Sequence, residues 1–379
     1  MRILLVANYK PDRQRSMARY AQLLYTELGK RGYAVEVICP ASLATRLVGE
    51  GNPFFRWLAY LDKFVFFPPL LWLRARRVNL VHVCDHSNSF YLHWTGKTPN
   101  LITAHDALAI RSALGHFPQN PTRWSGVKFQ RWILHGLAGA RNMVCVSQKT
   151  RRDFEDLLPG NTKMTVIPNP LSRSFRPAPP EDVEAVRAAC GLEAEDEYLL
   201  HVGKDAWYKN RLGVFRIVTE LRKFPRFSRV KLVLAGDSTP DELQDISGVV
   251  QWPTPSDEQL RALYSGALAL LFPSLEEGFG WPILEAQACG CPVITSARSP
   301  MTEVAGGAAI LIDPEDATYA AAEIASRIDE LDPMRRAGFA NVRNYSVEDA
   351  MDRYREVYQQ IISASDVVAT AALNPDRFV

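Results

Sequence analysis

Residues 273–295, PSLEEGFGWPILEAQACGCPVIT, carry two carboxylates eight positions apart, Glu277 and Glu285. Between them stand a Gly-Phe-Gly turn (Gly278, Phe279, Gly280) and Pro282. Glycines let a backbone come close to a ligand, and proline suits the first helical position, where its missing N–H costs no hydrogen bond. A helix start presents N–H groups and partial positive charge, a ready site for phosphate. With a helix opening at Pro282, Glu285 falls in its first turn. Phosphate-binding backbone beside two acids suits a ligand that is part diphosphate and part polyol, such as a nucleotide sugar. The plainer alternative makes Glu277 a solvated loop acid and Glu285 a complement to the helix dipole. Against it, the preceding run ALALLFP (267–273) reads as a buried parallel strand, and ligands of open α/β sheets sit beyond the C-terminal ends of strands.

A second segment, LLHVGKDAWYKN (199–210), sets Lys204 and Lys209 after a strand that ends at Gly203. Two cations there would neutralise a diphosphate leaving group as charge develops; the alternative is a pair of solvated lysines, the usual state of Lys. In the first half, NLITAHDALA closes a strand with His105 and Asp106, and Asp106 would orient the histidine or cap the next segment. HVCDHSNS brings Asp85, with His82 and His86, to the end of another strand. Three histidines hold a metal only if they converge, and nothing in this spacing demands it. In the loop ANYKPDRQRSMARY, Arg13, Arg15 and Arg19 either meet an anionic acceptor or form a solvated face.

Positioning these residues calls for strand ends. Short β-branched runs alternate with amphipathic segments throughout, the pattern of doubly wound parallel sheets. Strands are predicted at 2–7, 34–39, 79–84, 100–104, 143–147 and 164–167, then at 197–203, 230–235, 248–252, 267–272, 292–295 and 308–312. Helices are predicted from Ser16 through Leu28 and at 209–222, 256–266, 282–289, 315–331 and 346–363. The proline-rich run IPNPLSRSFRPAPPEDVEA between the two series reads as a linker. It divides the chain into residues 1–175 and 176–345, a two-domain size.

Residues 273–295 resemble the E-x7-E signature of retaining glycosyltransferases of family 4, and VSQKTRRDF, VIPNPLSRSF and the start of the second half match that family in order. The resemblance implies a GT-B fold, two Rossmann-like doubly wound domains facing a central cleft. The first would be the acceptor side and the second the donor side, with the helix of 346–379 crossing back to the first. It implies that Glu277 contacts donor-sugar hydroxyls, that Glu285 holds the ribose, and that the backbone of Gly278, Phe279 and Gly280 holds sugar and phosphate. Lys209 matches the family's phosphate-binding lysine. Lys204 stands where arginine is frequent, and a lysine is a point charge rather than a fork. His105 matches a histidine that reaches the donor sugar, which makes His105, Lys209 and Glu277 the catalytic candidates. Gly203, Lys204 and Lys209 join the donor-binding set, and Arg15, Ser16, Asp85 and Asp106 are the acceptor-side candidates. Many members carry a Gly-Gly pair after the first strand; here Gln14, Arg15, Ser16 and Met17 stand instead. Ser147 and Asn169 match recurrent family positions and would hold loops.

The implied activity is a retaining, metal-independent hexosyl transfer, from a mannose- or glucose-type GDP or UDP sugar to a glycan, lipid-linked or small-molecule acceptor. No cofactor is expected. The rival readings are a non-catalytic nucleotide-sugar binding protein and another GT-B enzyme such as a sugar-nucleotide epimerase. A dehydrogenase is disfavoured because no GxGxxG follows either half's first strand. A net charge of +2 implies no affinity for nucleic acid. Six cysteines without a CxxC pair read as reduced thiols of a cytoplasmic protein, and neither a signal peptide nor a membrane span is expected. Residues 54–77, FFRWLAYLDKFVFFPPLLWLRARR, mix aromatics and cations in a way that suits peripheral contact with the inner face of a membrane. The alternative is a pair of core-packing helices broken at Pro68-Pro69.

Overall fold

The computed structural model describes residues 1–49, 51–158, 160–236 and 246–373, with side chains to residue 365. Its chain forms two units, residues 1–168 together with the segment from Ala350 onward, and residues 169–349.

In unit 1 the strands are β1 (Arg2–Val6), β2 (Ala34–Ile38), β3 (Leu80–Val83), β4 (Asn100–Ala104), β5 (Asn142–Cys145) and β6 (Lys163–Val166). They form one parallel sheet in the order β2-β1-β3-β4-β5-β6, registered by pairs such as Val6 with Val83 and Ala104 with Cys145. All four residues of β3 are buried, as a central strand covered on both faces requires. The helices of this part are α1 (Arg15–Lys30), α2 (Phe55–Leu61), α3 (Phe67–Ala75), α4 (Leu108–Ala113), α5 (Trp124–Ala138) and α6 (Gln148–Leu157). Tyr20, Ala21, Leu24 and Leu28 lay one helical stripe of α1 into the core, and Ser147 caps α6 by accepting from the N–H of Thr150.

Pro68-Pro69 does not break the helices of residues 54–77. A π-helical stretch, Asp62–Phe66, joins α2 to α3, and Pro68 lies in the first turn of α3. The wider turn restarts the helix where proline's missing N–H is tolerated. Asp62 is fully buried there, accepting from the N–H groups of Leu43 (3.0 Å) and Ala44 (2.7 Å) and from the hydroxyls of Thr45 and Tyr9 (both 2.8 Å). Burial opposes its charge, but these donors outweigh burial and hold its carboxyl below the usual range.

Unit 2 contains β7 (Tyr198–Val202), β8 (Lys231–Ala235), β9 (Val249–Trp252), β10 (Ala269–Phe272), β11 (Val293–Ser296) and β12 (Ile310–Ile312), in the parallel order β12-β11-β10-β7-β8-β9. Its helices are α7 (Pro180–Ala189), α8 (Arg211–Leu221), α9 (Asp257–Gly266), α10 (Trp281–Ala288), α11 (Met301–Ala305), α12 (Ala317–Ser326) and α13 (Leu331–Asn341). The helix expected over 315–331 ends at Ser326 and passes through a short 3-10 turn at Ile328–Glu330 into α13, which the sequence pattern did not predict. The divide between units falls at Pro168–Asn169 rather than at residue 176. Residues 169–175 hang from unit 2: Leu171 donates to the Tyr345 carbonyl (2.9 Å), and the Phe175 ring packs edge-on to Tyr264. The proline-rich run is only partly a linker, because α7 begins within it at Pro180.

The last helix, α14 (Val347–Leu373), runs beyond the expected 363 and through 366–373, where the absence of periodicity predicts a loosely held tail; the residues past 373 lie outside the described ones. From Ala350 it belongs to unit 1 through a buried polar network. His82 bonds the Tyr358 hydroxyl through Nδ1 (2.8 Å) and Thr103 through Nε2 (2.7 Å), while the Tyr20 hydroxyl meets Thr103 (3.0 Å) and Tyr354 (2.5 Å). Burial drives the His82 pKa down to about 3, so the ring is neutral and one nitrogen donates while the other accepts. Tyr358→Phe strands one of those nitrogens. Urea unfolding of this variant is expected to show a loss of about 1–3 kcal/mol, with far-ultraviolet circular dichroism unchanged.

Candidate active site

The sheet of unit 2 reverses its winding between β7 and β10: β8 and β9 lie to one side, β11 and β12 to the other. The crevice at such a reversal, beyond the strand C-termini, is where open α/β sheets take ligands. The loops after β7 and β10 meet there and are locked together. Asn210, in left-handed conformation (φ 56°), donates through Nδ2 to the carbonyls of Pro273 (3.1 Å) and Pro314 (2.9 Å). Leu275 N–H reaches the Tyr208 carbonyl (2.8 Å), and Ser296 Oγ donates to the Ser274 carbonyl (2.6 Å). Gly213 makes room for this stitch, since a Cβ there would fall 2.3 Å from the Asn210 side chain.

Lys209 and Glu277 join across these loops, Nζ to Oε1 at 2.6 Å, with side chains 12% and 10% exposed. The same oxygen accepts from Ser274 Oγ at 3.0 Å. Lys209 Nζ also lies 4.5 Å from the Phe272 ring centroid. A Cβ on Gly203 would press within 3.2 Å of the Lys209 stem, so the glycine after β7 sets the path of that lysine. Lys204, by contrast, is exposed and has no ion pair among the described residues.

Gly278, Phe279 and Gly280 are buried, with Phe279 edge-on to Tyr345 (6.0 Å). Gly280 (φ 103°) turns the chain into α10, and no side chain caps that helix. The helix starts at Trp281, one residue before Pro282, which moves Glu285 just past the first turn. Its carboxylate is buried and accepts from the Tyr264 hydroxyl at 3.0 Å; that tyrosine is pushed well up, by burial first and then by Glu285. Glu285 thus keeps a partner different from that of the Lys209–Glu277 pair.

Unit 1 gathers a second polar group. Asp85, after β3, accepts from Asn8 Nδ2 (2.5 Å) after β1, from Ser87 N–H (2.9 Å) and from Ser87 Oγ (2.8 Å), and it faces His86 Nδ1 at 3.2 Å. β1 and β3 are the strands between which this sheet reverses. Burial disfavours the Asp85 charge, but the His86 contact, His105 and Asn8 outweigh it and hold the carboxyl far below the usual range. Burial likewise opposes a charged His86, and Asp85 overcomes this and raises it. His105, after β4, donates Nε2–H to the Cys84 carbonyl (2.9 Å), which leaves Nδ1 as the lone-pair nitrogen, buried and without a partner. Burial lowers its pKa, so the ring is neutral at pH 7. Asp106 accepts from Leu108 N–H (2.9 Å) in the turn that enters α4, whose N-cap is Ala107. Arg15 and Ser16 are exposed in the first turn of α1 and join none of these bonds. His82, His86 and His105 each keep a separate partner. Ser274, Asn210, Tyr264 and Asn8 escaped the sequence reading. Only Asn210, a residue of N-cap type directly before α8, left a signal that could have been used.

Residues 17–175 match the family described as Glycosyltransferase Family 4, and residues 182–340 the family described as Glycosyl transferases group 1. The chain is 36% identical over 289 residues to the O-antigen chain mannosyltransferase B of Escherichia coli, covering 72% of this chain and 73% of that relative. A D-inositol 3-phosphate glycosyltransferase of Frankia alni is 29% identical over 235 residues, with 56% of each chain covered. Among solved structures, sucrose-phosphate synthase from Thermosynechococcus elongatus superposes with a TM-score of 0.73 at 18% identity, over 96% of this chain and all of that one (100%). The Anabaena protein HepE, solved with UDP and glucose, gives 0.70 at 16% identity over 95% and 99%. The architecture is that of two-domain, Rossmann-like GT-B transferases. Within that class, the chain belongs to the group 1 glycosyltransferases of family 4.

The Asp85–His86 pair gives unit 1 a pH signature. The Asp85 contribution is complete above the ordinary carboxylate range and is lost as pH falls through its depressed folded value. The His86 contribution is complete below the ordinary imidazole value and is lost as pH rises through its raised folded value. The pair therefore stabilises most between about pH 4 and 6.5. In calorimetric scans, His86→Gln is expected to lower Tm most at pH 6 and least at pH 9; an equal drop at both would contradict the ion pair.

Proposed function

We propose that the chain moves a hexosyl group from a GDP- or UDP-linked sugar of mannose or glucose type to an acceptor hydroxyl on a glycan, lipid-linked or small molecule, retaining the anomeric configuration and using no bound metal. The observation that carries this is the Lys209–Glu277 pair at the winding reversal of unit 2, beside the uncapped start of α10. The lysine and the helix start meet the diphosphate. Glu277, already an acceptor toward Lys209 and Ser274, takes donor-sugar hydroxyls. Glu285, with one oxygen steadied by Tyr264, takes the ribose. His105 offers Nδ1 as an acceptor to a sugar hydroxyl. In the transfer, the acceptor oxygen bonds to the anomeric carbon as the carbon–phosphate oxygen bond breaks on the same face. The acceptor proton passes to the departing diphosphate. The protein contributes positioning and stabilises the developing phosphate charge.

The mannosyl transfer in the name of the Escherichia coli relative and the UDP and glucose bound by HepE support the choice of donor types. Thermal shift against a panel of nucleotide sugars tests the reading, since a donor at about 100 times its Kd adds roughly 2.7 kcal/mol. Glu285→Ala is expected to weaken donor binding, and Lys209→Ala to cut turnover by about 10²-fold. Turnover is expected to persist in EDTA. Unchanged kinetics in both variants would sink the assignment, and donor binding without transfer to any acceptor would make the chain a binding protein.

A further inference from the structure

Unit 1 has an apolar face that the transferase reading does not use. On α2, the π-helical stretch and α3 it exposes Trp57 (70%), Tyr60, Val65, Phe66 and Leu73. On α5, far away in sequence, it exposes Trp124 (71%), Phe129 and Trp132. A chain of rings joins the two: Trp57 to Tyr60 (6.1 Å), Tyr60 to Phe64 (5.8 Å), Phe64 to Trp132 (5.1 Å) and Trp132 to Phe129 (6.1 Å). These helices therefore share one surface, although only residues 54–77 carried the signal in the sequence.

Cations outnumber acids on this surface, where Glu36 pairs with Arg74 and Asp12 with Lys63. Arg56, Arg74, Arg76, Arg77, Lys128 and Arg131 are exposed, and the only carboxylate within residues 53–77 and 123–138, Asp62, is fully buried on backbone and hydroxyl donors. The Arg76 guanidinium lies 3.5 Å from the Trp72 ring centroid and Lys128 Nζ lies 4.2 Å from that of Trp124, so cations sit level with the rings. Tryptophan beside arginine at one depth is the arrangement of a membrane–water interface. A second copy on the same face would set these cations against their own kind. No described helix is long and apolar enough to cross a membrane, so the contact would be one of lying on the bilayer.

We propose that unit 1 docks on an anionic lipid bilayer through this two-part face, with the rings of α2 and α5 at the headgroup–acyl boundary and the arginines on lipid phosphates. The inference stands on these side chains and not on the donor site, whose thermal shift with nucleotide sugars reports separately. Full-length protein is pelleted with vesicles of phosphatidylcholine, alone or mixed with phosphatidylglycerol. Binding is expected only to the mixed vesicles, and is expected to weaken with salt. Arg56→Ala or Arg131→Ala is expected to lower vesicle affinity about fivefold, the ratio for about 1 kcal/mol per cation near the surface. Trp124→Ser with Trp132→Ser is expected to lower it at least as far, with melting temperature and donor shift retained. No pelleting with anionic vesicles at low salt overturns the proposal. So does wild-type vesicle binding by the α5 double variant, which would confine contact to residues 54–77. Vesicle-independent dimers abolished by the same substitutions would assign the face to a second copy and overturn it as well.

Discussion

An ion pair held almost out of water, Lys209 with Glu277, is the constraint on which unit 2 is arranged. Removing two charges from water costs several kcal/mol apiece, recovered only when geometry is good and remaining polar atoms are bonded. The neighbourhood supplies both conditions. Ser274 takes up the carboxylate oxygen, the Phe272 ring lies under the ammonium, and the absence of a side chain at Gly203 clears its path. None of that would hold if the two loops could slide. Asn210 and Ser296 tie them to neighbouring strand ends, so the sheet order of unit 2 reaches the ion pair through a short series of hydrogen bonds.

Unit 1 meets the same geometric problem with different residues. Where its sheet reverses, between β1 and β3, Asn8 and Asp85 bond across the gap, and His86 faces the carboxylate. In both halves, therefore, a carboxylate at a strand end faces a basic side chain, Lys209 from another loop for Glu277 and the adjacent His86 for Asp85. The difference lies in solvation: Glu277 and Lys209 retain a little exposure, whereas Asp85 is more fully enclosed.

The twelve strands of the described residues were legible, the central ones because a parallel strand covered on both faces must be apolar throughout, as short runs such as LLFP and LVHV announce. Glu277, Glu285 and Lys209 were legible as candidates because turn glycines and a helix start surround or follow them. What could not be read was pairing across distance. Nothing local says that Tyr264 bonds Glu285, that Ser274 shares an oxygen with Lys209, or that Asp62 is an internal anchor rather than a surface acid. Helix ends also shifted: the π-helical turn let α3 keep its prolines, the helix expected to 331 stops at Ser326 before a short 3-10 turn, and α13 beyond it was not foreseen.

The buried contacts of His82 and Tyr20 with Tyr358 and Tyr354 also order events in time. A chain emerging from the ribosome offers its sheet of β1 to β6 first, yet the two tyrosines that complete that sheet's polar interior come from its last helix. Unit 2 is continuous in sequence and has all its parts earlier. The half whose sheet is synthesised first is thus the half that waits longest for its polar interior, with His82 and Tyr20 unpartnered by tyrosine until α14 has been made.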